Sequence, residues 1–319
     1  MKWRKWLTLL LLLLMTALLC ACSAASTTEE AGAITVRVVA TRNFGQELMF
    51  DETLELPPGT PAMAALESIA DVETAYGGGF VNAINGVQSG FTGTQQTMTD
   101  WFLYINGIQA RTGALDYTLN DGDIQHWDFH VWGFRQSVPA IIGDFPEPLG
   151  HGYGGKVSPT IIAHANDLAK EADNLENQLS QLGVNSISIK RLSELSANEK
   201  ESANLILLGT IDSEPISELN DIWERLGFFA HFEEEKLVVF NAEGEIAAEY
   251  GAGVGLIQAT QNPWNPKGIG AAENVVWLIS GTDTAGVKSA LDALINHPTR
   301  LQYAGAAVIA SGEIIRIPQ

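Results

Sequence analysis

The residues of this chain whose types and spacing best suit a chemical site, here a metal site, are two histidines and an aspartate: His126, Asp128 and His130. Alternate residues of a β-strand point to one face, so a strand here would present two imidazoles and a carboxylate together. Such a set can ligate a transition metal. A polar sheet face in contact with water explains the same alternation without a metal, with Trp127 and Phe129 buried on the opposite face. We favour that second interpretation and predict no metal site.

Two further aspartates, Asp212 and Asp283, each lie shortly after a Gly-Thr dipeptide that ends an apolar run, and just before a predicted helix. Open α/β sheets bind anionic ligands at such strand ends. Aspartate is also one of the commonest residues to cap a helix N-terminus, and we favour that role. The sequence has no Gly-x-Ser-x-Gly motif, and the glycines of residues 251–255 lack the spacing of a dinucleotide-binding loop. We therefore predict that the protein is not an enzyme.

The histidines lie near the end of residues 101–132, a segment that is typical of short strands separated by tight turns. Asn106-Gly107 and Asp121-Gly122 are dipeptides that favour β-hairpin turns, because both residues of such a turn take positive φ. A last strand is predicted from residue 124 to residue 132. The segment therefore supplies the strand on which the three polar residues alternate.

The preceding residues predict the rest of a small domain. Alternating apolar residues from Ile34 onward and again over residues 47–56 indicate two strands. Thr60-Pro61 then begins a helix over residues 62–70, since proline is well tolerated at the first helical position. The prediction is an α+β domain over residues 34–135, built from a small, β-rich, mixed sheet with one helix.

This order of elements resembles the transcobalamin-like C-terminal domain family, in the version found in bacterial surface lipoproteins. The resemblance covers about residues 34–135, and its most specific parts are Trp101 with Asn106-Gly107, and Tyr117 with Asp121-Gly122-Asp123. The family closes the vertebrate cobalamin carriers, where it packs against the corrinoid from one side while a helical barrel holds the other. The resemblance implies cobalamin or another corrinoid as the bound ligand, although this sequence predicts no helical barrel. No resident cofactor is predicted.

Aromatic residues are the main candidates for ligand contacts, because several lie beside glycine-rich turns in one small domain. For Trp101 and Trp127 we favour a role in the core. The turn residues Tyr76, Phe80 and Phe91 are the better candidates. The full predicted ligand-binding set is Tyr76, Phe80, Phe91, Trp101, Tyr104 and Trp127.

The second half of the chain has a different pattern. Residues 136–158 are rich in proline and glycine and are interpreted as a connection between domains. Over residues 159–319 short apolar runs alternate with amphipathic segments, such as residues 167–182 and 284–296. That alternation predicts an α/β domain with a mostly parallel sheet. This half resembles no family closely enough for site residues to be carried over.

The N-terminus has the features of a lipoprotein signal peptide over residues 1–21. A basic start is followed by an apolar run at residues 7–19 that is short for a membrane span. The ending resembles a lipobox, and Cys22 is the predicted lipidation site, followed by a flexible tether to residue 33. An ordinary signal peptide or an uncleaved anchor is the alternative. We predict a lipid-anchored protein on the extracellular face of a Gram-positive cell membrane.

The formal charge of −20 argues against nucleic acid as a partner, since binding it requires a basic surface. Apolar residues make up 46% and charged residues 18%, a composition typical of globular domains rather than of a disordered chain. Together these features predict a binding protein that captures a small ligand for uptake, with a membrane transporter as a candidate partner. The alternative is an envelope interaction module that binds cell-wall glycan or a partner protein.

Overall fold

The structure is a computed structural model, and it describes residue 3, residues 32–92 and residues 96–319. The predicted signal peptide, Cys22 and most of the tether fall outside the described residues. Residues 34–319 form one compact unit, so the predicted division into two domains is not confirmed. Within the described ranges, no helix is both long and apolar enough to span a bilayer.

Within the described residues up to 131, the chain contains eight strands and one α-helix. The strands are β1 (Ile34–Arg42), β2 (Glu47–Leu56), β3 (Val72–Ala75), β4 (Phe80–Ile84), β5 (Val87–Gln88), β6 (Thr99–Ile105), β7 (Ile108–Gln109) and β8 (Ile124–Val131). Helix α1 (Ala62–Glu67) lies between β2 and β3. Strands β3, β4 and β5 form a small antiparallel sheet of their own.

The remaining five of these strands form the first sheet, in the order β2-β1-β8-β6-β7. Strand β8 lies in the middle, parallel to β1 and antiparallel to β6. One face of this sheet packs under α1, where Leu66, Trp101 and Trp127 belong to one apolar core. These local elements agree with the predicted mixed sheet with one helix.

The opposite face of the first sheet is also covered, and here the sequence-based interpretation is wrong. The face carrying His126, Asp128 and His130 was expected to be solvated, yet all three side chains are buried. Residues from far along the chain cover it: Tyr104 on this face joins a core with Val138, Ile141 and Phe229. A strand pattern reports which residues share a face, but it does not report what later packs on that face.

The second part contains ten strands and five helices. The strands are β9 (Thr160–His164), β10 (Ile187–Arg191), β11 (Asn204–Leu208), β12 (Ala230–Glu233), β13 (Lys236–Phe240), β14 (Ile246–Tyr250), β15 (Gly255–Gln261), β16 (Val275–Gly281), β17 (Ala306–Ala310) and β18 (Glu313–Ile317). The helices are α2 (Ala169–Gln181), α3 (Ala197–Ser202), α4 (Glu214–Asp221), α5 (Thr284–Asn296) and α6 (Pro298–Leu301).

Seven of these strands form the second sheet, in the order β10-β9-β11-β16-β15-β17-β18. The first four are parallel, but β15, β17 and β18 are added by antiparallel pairing. The prediction of a mostly parallel sheet is therefore corrected to a mixed one. The reason is local: no helix lies between β15 and β16, and a tight turn with positive φ at Ser311 and Gly312 joins β17 to β18. Antiparallel neighbours need only such short connections.

Helices cover both faces of the second sheet. Apolar residues of α2 and α5 pack on one face, and α4 packs on the other. Strands β12, β13 and β14 form a separate three-stranded sheet. Ile108 of the first sheet and Ala140 and Ile142 of the connection share the core of α2 and α5, which explains why residues 34–319 form one unit.

Candidate functional site

The candidate site is built on the face of β8 that points toward the second part of the chain. His126, Asp128 and His130 follow one another on this face at every second residue, and all are nearly inaccessible to solvent. Thr41, at the end of the neighbouring β1, lies directly opposite Asp128. Hydrogen bonds join Asp144, His126, Thr41, Asp128 and His130 into one buried polar chain.

Asp128 is the centre of this polar chain because its carboxylate accepts four hydrogen bonds. Oδ1 accepts from Thr41 Oγ1 at 2.6 Å and from the Gly45 backbone N–H at 3.0 Å. Oδ2 accepts from the Phe44 backbone N–H at 3.0 Å and from His130 Nδ1 at 2.7 Å. Burial would raise the pKa of Asp128, but the hydrogen bond and charge of His130, with help from Thr41 and His126, hold that pKa below its usual 3.8. Asp128 is therefore a carboxylate whose acceptor positions are filled.

The turn after β1 supplies two of these donors. Asn43, Phe44 and Gly45 all have positive φ, of 53°, 56° and 80°. Successive residues in this conformation point their N–H groups to one side, which forms a small anion-binding concavity. The backbone of the turn is thus shaped around the carboxylate of Asp128.

His126 lies at the buried end of the chain. Thr41 donates its hydroxyl hydrogen to Asp128, so its oxygen accepts from the Nε2–H of His126 at 2.8 Å. Nδ1 of His126 lies 3.0 Å from Oδ1 of Asp144. Burial lowers the pKa of His126, but the carboxylates of Asp144 and Asp128 outweigh that effect and raise the pKa above its usual 6.5. An imidazolium that donates from both nitrogens satisfies all of these contacts.

His130 lies at the other end, and its ring is fixed on three sides. Nδ1 donates to Asp128, and the two ring faces stack on Phe44 and Phe102 with both centroid distances at 4.2 Å. His130 is also one of the residues that line a cavity of about 600 Å³. Among the described residues no hydrogen-bond partner reaches Nε2.

The cavity lies at the edge of the first sheet where β1 and β8 end and β6 begins. Its walls are formed by the turn after β1, the ends of β6 and β8, the turn between β13 and β14, and the last residue of the chain. The lining residues are Asn43, Phe44, Gln46, Thr99, Phe129, His130, Val131, Ala242, Glu243 and Gln319. Apolar and polar groups both face it, so the cavity can hold a small ligand that has both kinds of surface.

Three apolar side chains lie on the segments that adjoin this cavity, and we call Phe91, Met98 and Trp132 the apolar rim; Phe91 and Met98 are exposed and Trp132 is half-buried. Met98 and Trp132 adjoin the lining residues Thr99 and Val131 in sequence, and the Trp132 N–H donates to the Met98 carbonyl at 2.8 Å. Phe91 is 56% exposed and its ring centroid lies 6.4 Å from that of Trp132. An exposed apolar surface beside a concave site is typical of ligand binding.

The predicted aromatic contacts are found in three different places. Phe91 belongs to the apolar rim, whereas Tyr76 and Phe80 form an edge-to-face pair on a separate turn and do not line the cavity. Trp101, Tyr104 and Trp127 are buried in the cores on the two faces of the first sheet. For the two tryptophans this agrees with the core role that the sequence favoured.

Several site residues gave no signal in the sequence. Thr41 and Asp144 bond to the histidine strand only through the fold, and Phe44 reaches His130 because of its positive φ. A Phe-Gly dipeptide after a strand, at Phe44-Gly45, is the one local hint of the turn. Trp132 ended the predicted last strand and lies on the rim.

The metal candidates do not converge on a common point. Thr41 stands between His126 and Asp128, and the imidazole nitrogens that face inward are used in hydrogen bonds. In the part of the chain that the structure describes, no group of three or more His, Cys, Asp or Glu residues could hold a metal ion.

The two aspartates at the strand ends form local hydrogen bonds within the fold. Asp283 caps α5 by accepting from the Gly286 N–H, and its other oxygen accepts from the Gly253 N–H, each at 2.8 Å. Asp212 is contacted by the hydroxyl of Thr210 at 3.4 Å. A cavity of about 280 Å³ does lie near the carboxyl ends of β9 and β10, but neither aspartate lines it.

Comparison with known proteins gives matches to part of the chain. A domain family of unknown function, DUF4430, matches residues 59–131. The crystal structure of haptocorrin in complex with Cbi aligns over 35% of this chain and 28% of its own, at 15% identity and a TM-score of 0.25. A crystal structure of a Ruminococcus gnavus protein proposed to bind metal aligns over 31% of this chain and 97% of its own, at 19% identity and a TM-score of 0.23. No curated protein matches this chain.

These matches fall short of assigning a family. The family match lies inside the predicted first domain and includes β8, but it names no function. TM-scores this low do not show a shared fold. The resemblance to the transcobalamin-like family is not confirmed by them.

Proposed function

We propose that this protein is a lipid-anchored extracellular binding protein that captures a small ligand for uptake. The observation that carries the proposal is the cavity lined in part by His130, whose ring is held by Asp128, with the apolar rim on the adjoining segments. Ligand sites are concave and combine apolar walls with a few fixed polar groups. The ring of His130 is held in place by stacking and by Asp128 before any ligand arrives, which reduces the entropy lost on binding.

A corrinoid is the first ligand to test, because the sequence resembles the transcobalamin-like family. The predicted lipidation at Cys22 and the tether to residue 33 would hold the binding unit at the extracellular face of a Gram-positive cell membrane. There a membrane transporter is the candidate recipient of the ligand. The acidic charge of −20 fits a surface protein that stays soluble on its tether.

The test is a titration of the lipid-free protein with cobalamin and cobinamide, followed by tryptophan fluorescence and thermal unfolding. Trp132 on the rim should report binding, and the melting temperature should rise by mass action. Phe91→Ala should weaken binding, whereas Leu182→Ala, at an exposed apolar residue just after α2, should not. Absence of saturable binding by both compounds would overturn the corrinoid proposal.

One observation favours a second candidate, an interaction module for cell-wall glycan or a partner protein. Tyr76 is 78% exposed and packs edge-on against Phe80, and the exposed Leu115 lies beside Gly78 of the same turn, so this turn carries a second apolar surface away from the cavity lining. Exposed patches of this kind mark interaction sites. This candidate predicts retention by purified wall material that Tyr76→Ala abolishes and Phe91→Ala leaves intact.

A further inference from the structure

We infer that the second part of the chain holds a separate binding site for a small polar anion, in the cavity at the carboxyl ends of β9 and β10. The ligand is about the size of a monosaccharide and carries a phosphate or a carboxylate. This site is distinct from the cavity lined by His130 and goes beyond the proposed function.

The cavity lies where the chain changes direction across the second sheet. Strand β9 has β10 on one side and β11 on the other, and all three are parallel. After β9 the chain passes through α2, on one face of the sheet, to β10. After β11 it passes into α4, on the opposite face, and continues toward β15 and β16. Connections that leave neighbouring parallel strands in opposite directions open a crevice at the carboxyl ends of those strands, and open α/β sheets bind their ligands in that crevice.

Residues that follow each of the three strands line this cavity. The buried His164 ends β9, Arg191 ends β10, and Ser213 precedes α4 in the connection after β11. Gly209, the residue after β11, lets the last two connections approach each other, because a Cβ there would lie 3.1 Å from Leu192 Cδ1 and 3.2 Å from Ser213 Oγ. The sheet therefore brings together residues that are far apart in the chain and sets the shape of the cavity.

The lining residues carry a positive balance of charge, although the whole protein is strongly acidic. Arg191 and Lys200 line the cavity together with one carboxylate, Glu214, whereas the chain has 18 Lys and Arg against 38 Asp and Glu. Nζ of Lys200 is held by Glu218 at 3.2 Å. Nη1 of Arg191 lies 3.9 Å from Oε1 of Glu194, and 62% of the arginine side chain is exposed, so its guanidinium can turn toward a ligand. A guanidinium binds a phosphate or a carboxylate through two parallel hydrogen bonds.

The start of α4 supplies further groups that suit an anion. Ser213 is the N-cap residue of this helix, but its side chain accepts no hydrogen bond from the first turn. Its hydroxyl is therefore available to a ligand, beside a helix N-terminus whose dipole favours negative charge.

The size and the other polar groups of the cavity indicate the rest of the ligand. A volume of about 280 Å³ lies at the lower end of the range for ligand pockets, which begins near about 300 Å³. Asn166 and Ser193 also line the cavity, and their side chains can hydrogen-bond to hydroxyl groups. A monosaccharide that carries one anionic group matches this combination of volume, charge and polarity.

The first experiment is a calorimetric titration of the unmodified protein with glucose 6-phosphate, glucuronate and glucose, which share one type of ring and differ in charge. We expect saturable binding of at least one of the two anions and no binding of glucose. The affinity for the anion should fall as sodium chloride is added, because salt screens the charge of an exposed arginine. The anion that binds more tightly identifies the group as a phosphate or a carboxylate. Equal binding of glucose, or no binding of any of the three compounds, would overturn the inference.

Variants connect the binding to this cavity. Arg191→Gln changes an exposed side chain, so the protein should still fold, and the affinity for the anion should fall by about 10-fold or more because charge-assisted hydrogen bonds are lost. Ser213→Ala should reduce the affinity by a smaller factor. The matched control is Arg300→Gln, at an exposed arginine of α6 outside the cavity lining, and it should leave the affinity unchanged.

A second control separates this site from the cavity lined by His130. Phe91→Ala, on the apolar rim, should leave the binding of the anion intact. A loss of anion binding in Phe91→Ala, an unchanged affinity in Arg191→Gln, or equal losses in Arg191→Gln and Arg300→Gln would each overturn the inference. None of these results depends on whether the first cavity binds a corrinoid, so the two proposals fail independently.

Discussion

Asp128 combines a buried carboxylate with four hydrogen-bond donors, and this arrangement makes it sensitive to a small chemical change. In Asp128→Asn one accepting oxygen becomes an N–H₂ group that faces donors. We expect a loss of about 3 kcal/mol in the free energy of unfolding, measured by urea denaturation. The control is Asp121→Asn, where an exposed carboxylate accepts from the Thr35 N–H, and it should lose less than about 1 kcal/mol. Equal losses in the two variants would show that the polar chain does not stabilise the fold.

The raised pKa of His126 gives stability a pH dependence with a definite sign. The folded state holds the proton more tightly than the unfolded chain, whose histidine has a pKa near 6.5. The stabilisation is therefore complete below pH 6.5 and is lost as the pH rises through the raised folded pKa. For Asp128 the sign is opposite: its stabilisation is present above pH 3.8 and is lost as the pH falls through the lowered folded pKa.

The measurement is the difference in unfolding free energy between the wild type and His126→Gln across pH, which removes the contributions that both proteins share. That difference should be largest below pH 6.5 and should shrink at higher pH. Subtracting the two unfolding free energies is necessary because His231 and Glu147 also make the stability depend on pH. Burial lowers the pKa of His231 and raises that of Glu147, so both add slopes of their own. A difference that grows with pH above 6.5 would contradict the raised pKa.

At the scale of elements, two Asn-Gly turns of the same kind have different surroundings. Asn85-Gly86 has φ values of 48° and 80°, and Asn106-Gly107 has 52° and 72°. A Cβ added at Gly86 would meet nothing within 4 Å, whereas at Gly107 it would lie 3.1 Å from the carbonyl oxygen of Ile141. Gly86→Ala should therefore cost about 1 kcal/mol for the left-handed backbone alone.

Gly107→Ala should cost about 1 kcal/mol more than Gly86→Ala, because the added methyl group also presses on the connection that covers the site. Urea denaturation of the two variants gives the comparison directly. If the two losses are the same, the contact between the Gly107 turn and Ile141 contributes nothing.

The local elements could be predicted from the sequence because their signals are local. The Asn106-Gly107 turn, the strand from Ile124 and helix α5 follow from residues within a few positions of one another. The burial of the histidine face could not be predicted, since Ile141, Phe229 and Tyr303 reach it from distant positions. The same holds for the site: alternation placed His126, Asp128 and His130 on one face, but Thr41 and Phe44, which donate hydrogen bonds to Asp128, are brought near only by the fold.

At the scale of the whole molecule, the site depends on the packing of the first sheet against the rest of the chain. Asn106 Nδ2 donates to the Gly152 carbonyl at 2.7 Å, and Tyr303 donates its hydroxyl to Asp51 at 2.5 Å. Arg135 is buried and has no carboxylate partner among the described residues. Its Nε donates to the Phe228 carbonyl at 2.9 Å, and its guanidinium stacks on the rings of Phe134 and Trp223. These contacts span the boundary at which the sequence had predicted separate domains.

If residues 34–319 are one cooperative unit, damage at that boundary must weaken both parts equally. Gly143 provides the test, because a Cβ there would lie 2.2 Å from the backbone carbonyl carbon of Tyr303, whereas at Gly251 it would meet nothing within 4 Å. Gly143→Ala should cost about 3 kcal/mol and Gly251→Ala less than about 0.5 kcal/mol. Hydrogen exchange should show the loss in β8 and in β16 alike, since both open only when the whole unit unfolds. A loss confined to β8 would mean that the two parts unfold separately, and the polar chain behind His130 would then depend on the first sheet and the connection alone.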